Sequence, residues 1–281
     1  MPDHSIDALA GSVASVAGDA GGAGAAGTAR TRAELRAAGA DYVHVPRMDW
    51  RLGGRTVYRW RERLLAVAFI SLGIGVLGAA AVETLVEASW APVLANALML
   101  LGMIVPIAWA FLRSRPAGLL RFRALDLLYA VALGVLLRVF SGWLDVVLGG
   151  AGAFPSYTSI NGGLGSSWLL SDVLLPVAVA PVVEEFFFRA VLLVSLYTVL
   201  RRPLGGASAG VIAVVVSSAV FMLMHSLTGA LTVSGVLGIG VLGVVCATLV
   251  MLTGRVWGAV LVHAVFNASW VVLALVGTAL G

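Results

Sequence analysis

Seven apolar runs, each long enough to cross a bilayer, constrain the fold of this sequence more than any other feature. An α-helix needs about 20 apolar residues to cross the hydrocarbon core. Because no water is available there to bond the backbone, such segments must be helical. The sequence predicts an all-α, polytopic transmembrane helix bundle of about seven spans. They are predicted at residues 64–86, 91–112, 124–148, 169–199, 208–228, 231–252 and 256–279.

The composition supports a membrane protein and excludes several other classes. The chain is 60% hydrophobic and 11% charged, with a mean hydropathy of +1.01. Soluble domains average about 45–50% apolar and about 25% charged residues. These values argue against a soluble enzyme, a nucleic-acid-binding protein and a disordered protein. The lipid bilayer is the expected partner, and no nucleic acid is expected.

The residues before the first span have a different composition. Residues 1–40 are rich in Ala, Gly, Ser and Asp without apolar periodicity, which is typical of disorder. Residues 41–63 interleave Arg with Trp and Tyr, a pattern that can stack on nucleic acid or contact anionic headgroups. Their position beside an apolar run favours headgroups. We therefore predict a disordered, Arg-rich cytoplasmic region over 1–62 and a membrane-embedded domain over 63–281.

The charges of the loops predict one orientation for all seven spans. Every basic residue other than His is Arg, and nine arginines precede the first span. Further arginines lie in every second loop, whereas the alternate loops carry no arginine, and Glu83, Glu87, Asp145 and Asp172 lie in or beside them. The positive-inside rule then predicts a cytoplasmic N-terminus and an external C-terminus. The Arg-only, Ala-, Gly- and Val-rich composition is typical of a GC-rich genome, so a bacterial cell membrane is expected.

Charged residues inside a span are costly and are functional candidates. The fourth span contains Glu184, Glu185 and Arg189. Residues four apart share a helix face, so Glu185 and Arg189 can pair, either as a purely structural ion pair or as part of a site. Glu184 points elsewhere and needs another partner. Two adjacent carboxylates would also raise the pKa of at least one of them.

Two histidines and an asparagine lie in other spans. His225 falls in the fifth span, and His263 and Asn267 share one face of the seventh. A single membrane histidine usually makes an interhelical hydrogen bond, but this set on three helices can converge in one polar cavity. His4 and His44 fall in the polar N-terminal region and are not expected to be catalytic.

This set of side chains fits hydrolysis by activated water. A carboxylate can take a proton from water and return it to a leaving amine. Two histidines and a carboxylate can bind Zn²⁺, and an asparagine can donate to an oxyanion. No HExxH or GxSxG motif is present. Ser217 and Ser218 lack the glycine-flanked motif of a rhomboid-type serine.

The three motifs resemble those of a known family when taken in order. Glu184-Glu185-xxx-Arg189, Phe221-xxx-His225 and His263-xxx-Asn267 are similar to the motifs of the CPBP family, the CAAX prenyl protease and bacteriocin-processing intramembrane metalloproteases. Each motif alone is weak, whereas the ordered set on separate membrane helices is specific. The resemblance covers about residues 169–270 and leaves residues 1–60 outside it.

The resemblance implies an intramembrane endopeptidase with its active site inside the bundle, acting on a membrane-associated peptide or protein. Glu184 would be the general base, with Glu185 and Arg189 completing its motif. His225 and His263 would hold the water or a divalent metal ion such as zinc, with Glu184 as a further ligand. Asn267 would stabilise the oxyanion. In a bacterium, peptide or bacteriocin processing or self-immunity is expected rather than cleavage of prenylated proteins.

Two other functions remain open at this point. A non-proteolytic scaffold or bacteriocin self-immunity protein could retain the fold, although it would not need the complete motif set. A small transporter could relay protons through buried Glu and His, but it would need further polar residues along a path.

The depth of the motif residues poses a separate question. Straight helices would place Glu184 and His225 much further than His263 from the arginine-bearing ends. Either the fourth helix runs well past the membrane, or the fifth begins there, or the seventh starts deep.

Overall fold

The computed structural model describes residues 49–53, 55–88, 90–157, 164–165, 168–228 and 231–280. Within these ranges the regular structure is helical and contains no strand. The predicted disordered segment, with His4 and His44, lies almost wholly outside the described residues, because only the part of the 1–62 region from Asp49 onward is described.

Among the described residues, seven helical segments of membrane length form the bundle, which confirms the predicted fold class. In this part of the chain six apolar helices are long enough to span a membrane, and one of them, Leu169–Leu227, is long enough for two segments. Gly205 interrupts this helix with a φ of 77° and a ψ of 165°. The segments are α1 (Glu62–Leu85), α2 (Ala91–Arg113), α3 (Ala124–Val147), α4 (169–204), α5 (206–228), α6 (Val233–Thr253) and α7 (Trp257–Leu280).

Two residues that precede α1, Trp50 and Arg51, pack against one end of the bundle. Trp50 Nε1 donates a 2.9 Å hydrogen bond to the carbonyl of Gly254, just after α6. The guanidinium of Arg51 donates to the carbonyls of Met251 and Leu252 at 2.9 and 2.6 Å. These bonds satisfy carbonyls that the last turn of a helix leaves unpaired. Trp50 is fully buried in protein, so this part of the predicted headgroup-binding segment packs on the bundle itself.

The arginine-bearing loops meet at this same end, which we call the basic end. Arg201 Nη1 donates to the carbonyl of Arg51 at 3.0 Å. Arg255, between α6 and α7, pairs with Asp126 of α3 at 2.6 and 3.2 Å. The Trp60 indole donates to the carbonyl of Ser114, directly after α2. The loops that carry arginines in the sequence therefore lie together, as the charge pattern requires.

At the opposite end of the bundle, other hydrogen bonds connect the helices and the segment that follows α3. Asp145 Oδ1 near the end of α3 accepts a 2.7 Å hydrogen bond from Ser234 Oγ at the start of α6. The backbone N–H of Tyr157 donates to Thr278 Oγ1 near the end of α7. These contacts join α3 to α6, and the segment after α3 to α7, at the end away from the basic end.

Helix α4 is longer than one crossing requires. Its residues 169–204 would extend about 54 Å as a straight α-helix, against about 30 Å for the hydrocarbon core. This length fits the first of the three alternatives, in which the fourth helix runs well past the membrane and so allows the motif residues to lie at the same depth. Helix α5 packs against α4 in the opposite direction, since Ser217 Oγ donates to the carbonyl of Phe188 at 2.8 Å and Gly206 lies beside Tyr197.

Candidate active site

Glu184 and Glu185 lie in an irregular part of α4. The short α-helical stretch Ala180–Glu185 is flanked by two π-helical stretches, Leu169–Val179 and Phe186–Leu193. Wider π turns are rare inside α-helices and occur frequently at functional sites. Both carboxylates are buried, with exposed fractions of 7% for Glu184 and 0% for Glu185.

Glu185 binds the two groups that neutralise and orient it. Its Oε2 lies 3.0 Å from Arg189 Nε, and neither side chain is exposed. Its Oε1 lies 3.0 Å from His263 Nδ1 of α7. The structure therefore contains the Glu185–Arg189 pair expected from their spacing, and adds a link to a third motif. Arg189 also donates to the carbonyl of Gly243 in α6 at 3.3 Å, which fixes it from the other side.

Glu184 faces the two histidines without a hydrogen bond. Its Oε2 lies 3.6 Å from His225 Nε2 and 4.0 Å from His263 Nε2. This oxygen is buried and has no hydrogen-bond partner. The structure thus brings the first, second and third motifs together from α4, α5 and α7, with both Nε2 atoms beyond hydrogen-bond distance of Glu184 Oε2.

The partners of the two imidazoles determine where their protons lie. His225 Nδ1 is 3.0 Å from the carbonyl of Phe221, and a carbonyl can only accept a hydrogen bond. His263 Nδ1 lies 3.0 Å from Oε1 of Glu185, a carboxylate oxygen whose partner Oε2 contacts Arg189. Both Nδ1 atoms are therefore assigned as donors. In each neutral imidazole the lone pair of Nε2 then faces Glu184.

The site as a whole lacks one positive charge. Two carboxylates, Glu184 and Glu185, are balanced by one guanidinium, that of Arg189, in a buried environment. Two lone pairs and a carboxylate oxygen that face one another also repel. A water that donates hydrogen bonds, an added proton or a cation between them would remove this repulsion.

The residue types fit a metal site, although the described side chains are not close enough together to form one. His225, His263 and Glu184 offer nitrogen and oxygen ligands of the kind that zinc prefers, and each imidazole is oriented by a bond from its other nitrogen. Among the described residues, no group of three or more His, Cys, Asp or Glu side chains is close enough to hold a metal ion. The zinc ion remains a prediction.

Asn267 lies one turn beyond His263 on α7. Its Nδ2 donates a 2.7 Å hydrogen bond to the carbonyl of Pro176 in the first π stretch of α4. Pro176 lies inside that helix, and proline disrupts the regular helical bonding pattern. The amide carries a second hydrogen that remains available to a substrate.

A large cavity connects the motif residues with the end of the bundle opposite the basic end. Its volume is about 1070 Å³, and its walls include Glu184, His225, His263 and Asn267. Small-molecule sites measure about 300–1,000 Å³, so this cavity can accommodate a peptide segment. Its other ionisable lining residues are Arg138, Asp145 and Asp172.

Sequence reasoning did not single out Arg138, which lies in the middle of α3. A charged residue at that position in a predicted span was an available signal. The π stretches of α4 had no comparable signal. The predicted loop over 200–207 is largely helical, because α4 continues through Pro203 to the break at Gly205.

The fold and the buried cluster together define an integral membrane protein with a polar site inside a helix bundle. Residues 166–269 match the family described as Type II CAAX prenyl endopeptidase Rce1-like. This match confirms the recognition made from the three motifs, and the matched residues include all seven named motif residues. At the family level it supports a CAAX-protease-like intramembrane endopeptidase. No curated protein and no solved structure matches the chain.

Proposed function

We propose that the protein is an intramembrane endopeptidase in which Glu184 activates water to hydrolyse a peptide bond of a membrane-associated peptide or protein. The observation that carries this proposal is the Oε2 atom of Glu184. It is buried without a hydrogen bond and faces two imidazole nitrogens across a gap. A water in that gap would donate to Glu184 and to one imidazole.

The proposed reaction follows from this arrangement. Glu184 takes a proton from the water while the water oxygen forms a bond to the substrate carbonyl carbon. The carbonyl oxygen becomes an oxyanion in a tetrahedral intermediate. The C–N bond then breaks, and the protonated Glu184 returns its proton to the leaving amine. The carboxylate form of Glu184 is thereby restored.

The surrounding residues position the reacting groups. Glu185 holds His263 with its Nε2 towards the gap, and Arg189 keeps Glu185 in place. Asn267 is proposed to donate its second amide hydrogen to the oxyanion, a contribution that typically exceeds a hundredfold in rate. The cavity supplies a path for water, which hydrolysis inside a bilayer requires.

The proposal includes a divalent metal as a cofactor. His225, His263 and Glu184 would hold it, and it would polarise the substrate carbonyl or acidify water when bound. Activity of the purified protein after chelation, and after re-addition of Zn²⁺, tests this part. Full activity in excess chelator, with no metal retained by elemental analysis, would contradict it.

The decisive variant is Glu184→Gln, which keeps the shape of the side chain but cannot accept a proton at neutral pH. Removal of a general base lowers rates by roughly 10²–10⁴. We expect such a loss for cleavage of a library of membrane-segment peptides in detergent, with unchanged thermal unfolding. Glu83→Gln, the same change on an exposed carboxylate of α1, serves as control. More than about a tenth of the wild-type rate in Glu184→Gln would contradict the role of Glu184 and favour a scaffold or transporter.

The histidines should behave as one unit with Glu184. We expect His225→Ala and His263→Ala to be inactive, and the double variant to be little worse than either one, because residues that act together are not additive. Additive losses would indicate separate, structural roles.

We propose that the basic end faces the cytoplasm of a bacterium, so that the N-terminus is cytoplasmic and the cavity extends towards the external side. The support is the gathering of the arginine-bearing loops at one end. A reporter that is active only outside the cytoplasm, fused after residue 281, should be active. An inactive reporter in a well-expressed fusion would contradict this orientation.

A further inference from the structure

Arg138 is a cation in a predicted membrane span and has no carboxylate partner among the described residues. It lies near the midpoint of α3 (Ala124–Val147), where a charge is costly. Among the described residues, no carboxylate lies within the 4.0 Å that defines an ion pair with it. Arg138 is partly buried, whereas Arg189 and Arg255, the buried arginines among the described residues, each have a carboxylate at 3.0 Å or less.

The guanidinium of Arg138 is held in place by uncharged groups. Its Nη2 donates to the carbonyl of Phe266 at 2.8 Å, and its Nε donates to Ser269 Oγ at 3.2 Å. It also stacks on the ring of Phe266, 3.9 Å from the centroid. A guanidinium has five N–H donors. These contacts use two of them and leave the others for a ligand.

Arg138 faces the same cavity as the proposed catalytic residues. The turn of α7 that it binds, 266–269, includes Asn267 and follows His263 by one turn. Apart from the two histidines, Arg138 is the only basic residue among the described residues that line the cavity. Other parts of the cavity wall carry carboxylates, which disfavour an anion near them: Asp145, Asp172 and Glu184. An anion in the cavity is therefore directed to Arg138.

We infer that Arg138 is a specificity residue that binds a carboxylate of the substrate peptide and so sets its direction in the cavity. The assignment to a peptide rests on the proposed function. A lipid phosphate is disfavoured because headgroups lie at the membrane surface, whereas Arg138 is mid-helix. A carboxylate matches the planar guanidinium through two parallel hydrogen bonds.

Binding of a matched pair of probes tests this inference without requiring cleavage. The probes are N-dodecanoyl-trileucine with a free carboxylate and the same molecule as an amide, titrated against the full chain in detergent. Wild type should bind the acid at least about tenfold more tightly than the amide, the difference expected for hydrogen bonds to a charged group. In Arg138→Gln the two probes should bind within about twofold of each other.

Further variants separate a specific site from a general effect of charge. Arg138→Lys should keep part of the preference, since lysine retains the charge but not the bidentate geometry. Arg121→Gln, which removes an exposed loop arginine, should keep all of it. The wild-type comparison stands even if Arg138→Gln fails to fold.

Three results would overturn the inference. The first is equal binding of acid and amide by wild type, and the second is an unchanged preference for the acid in folded Arg138→Gln. The third is an Arg138-dependent preference for dodecyl phosphate over the acid, which would assign the site to a lipid phosphate. If wild type cleaves no peptide while the acid preference still depends on Arg138, the proposed function fails and the anion site stands.

Discussion

Replacing Arg189 tests how the buried site is held together. The Arg189–Glu185 pair has no exposed surface and a 3.0 Å contact, so Arg189→Met leaves the Glu185 carboxylate buried without its counter-ion. Breaking one side of a buried pair costs roughly 3–5 kcal/mol. For a domain of this size, each kcal/mol lowers the melting temperature by about 2–4 °C. The expected decrease is therefore about 6–20 °C.

The same reasoning makes a prediction for the pair as a unit. Glu185→Gln combined with Arg189→Met removes both charges at similar volume and keeps an acceptor for His263. Replacing a whole buried pair is often neutral, so the double variant should regain most of the lost stability. Arg113→Met, which changes an exposed arginine of α2, is the control for the substitution itself.

Thermal unfolding of matched, detergent-purified variants measures these effects. A melting temperature of Arg189→Met within about 3 °C of wild type would refute the reasoning, because it would mean that Glu185 needs no counter-ion. A double variant as unstable as the single one would also refute it. In that case the loss would come from the packing of Arg189 against its neighbours rather than from its charge.

Two further predictions concern contacts outside the site. Asp126→Asn should destabilise by about 3–5 kcal/mol in an unfolding assay, because it breaks the buried bidentate pair with Arg255. Glu62→Gln, at an exposed pair, should leave the unfolding temperature nearly unchanged in the same assay. Gly102→Val should destabilise by roughly 1–3 kcal/mol, since its Cβ would lie 2.8 Å from a backbone oxygen of α1. Gly73→Val, whose Cβ meets open space, should be nearly neutral by the same measurement. Equal effects of the two substitutions would contradict the packing of α1 on α2.

The positions of the helices followed closely from the sequence because the bilayer imposes a length and forbids unpaired backbone groups. The third run, predicted at 124–148, is Ala124–Val147, and the sixth, predicted at 231–252, is Val233–Thr253. The boundary between the fourth and fifth runs was less accurate. Helical bonding continues past Arg201 and Arg202, which the charge pattern had placed in a loop.

The convergence of the motifs also followed from the sequence, but their geometry did not. Helical spacing predicted the pairing of Glu185 with Arg189, since residues four apart share a face. The bond from His263 to Glu185 depends on how α7 packs on α4, which no local pattern encodes. The burial of Trp50 has the same origin, because its partner, Gly254, is distant in sequence.

The most direct test of the central claim is hydrolysis at Glu184 measured through the source of the new oxygen atom. Wild type and Glu184→Gln are incubated with the same membrane-segment peptides in ¹⁸O-labelled water, and the products are identified by mass spectrometry. The account predicts internal cleavage by wild type with one ¹⁸O in the new carboxyl terminus, and at most about a hundredth of that product with Glu184→Gln. Equal product from both proteins, or no internal cleavage by folded wild type, would contradict it.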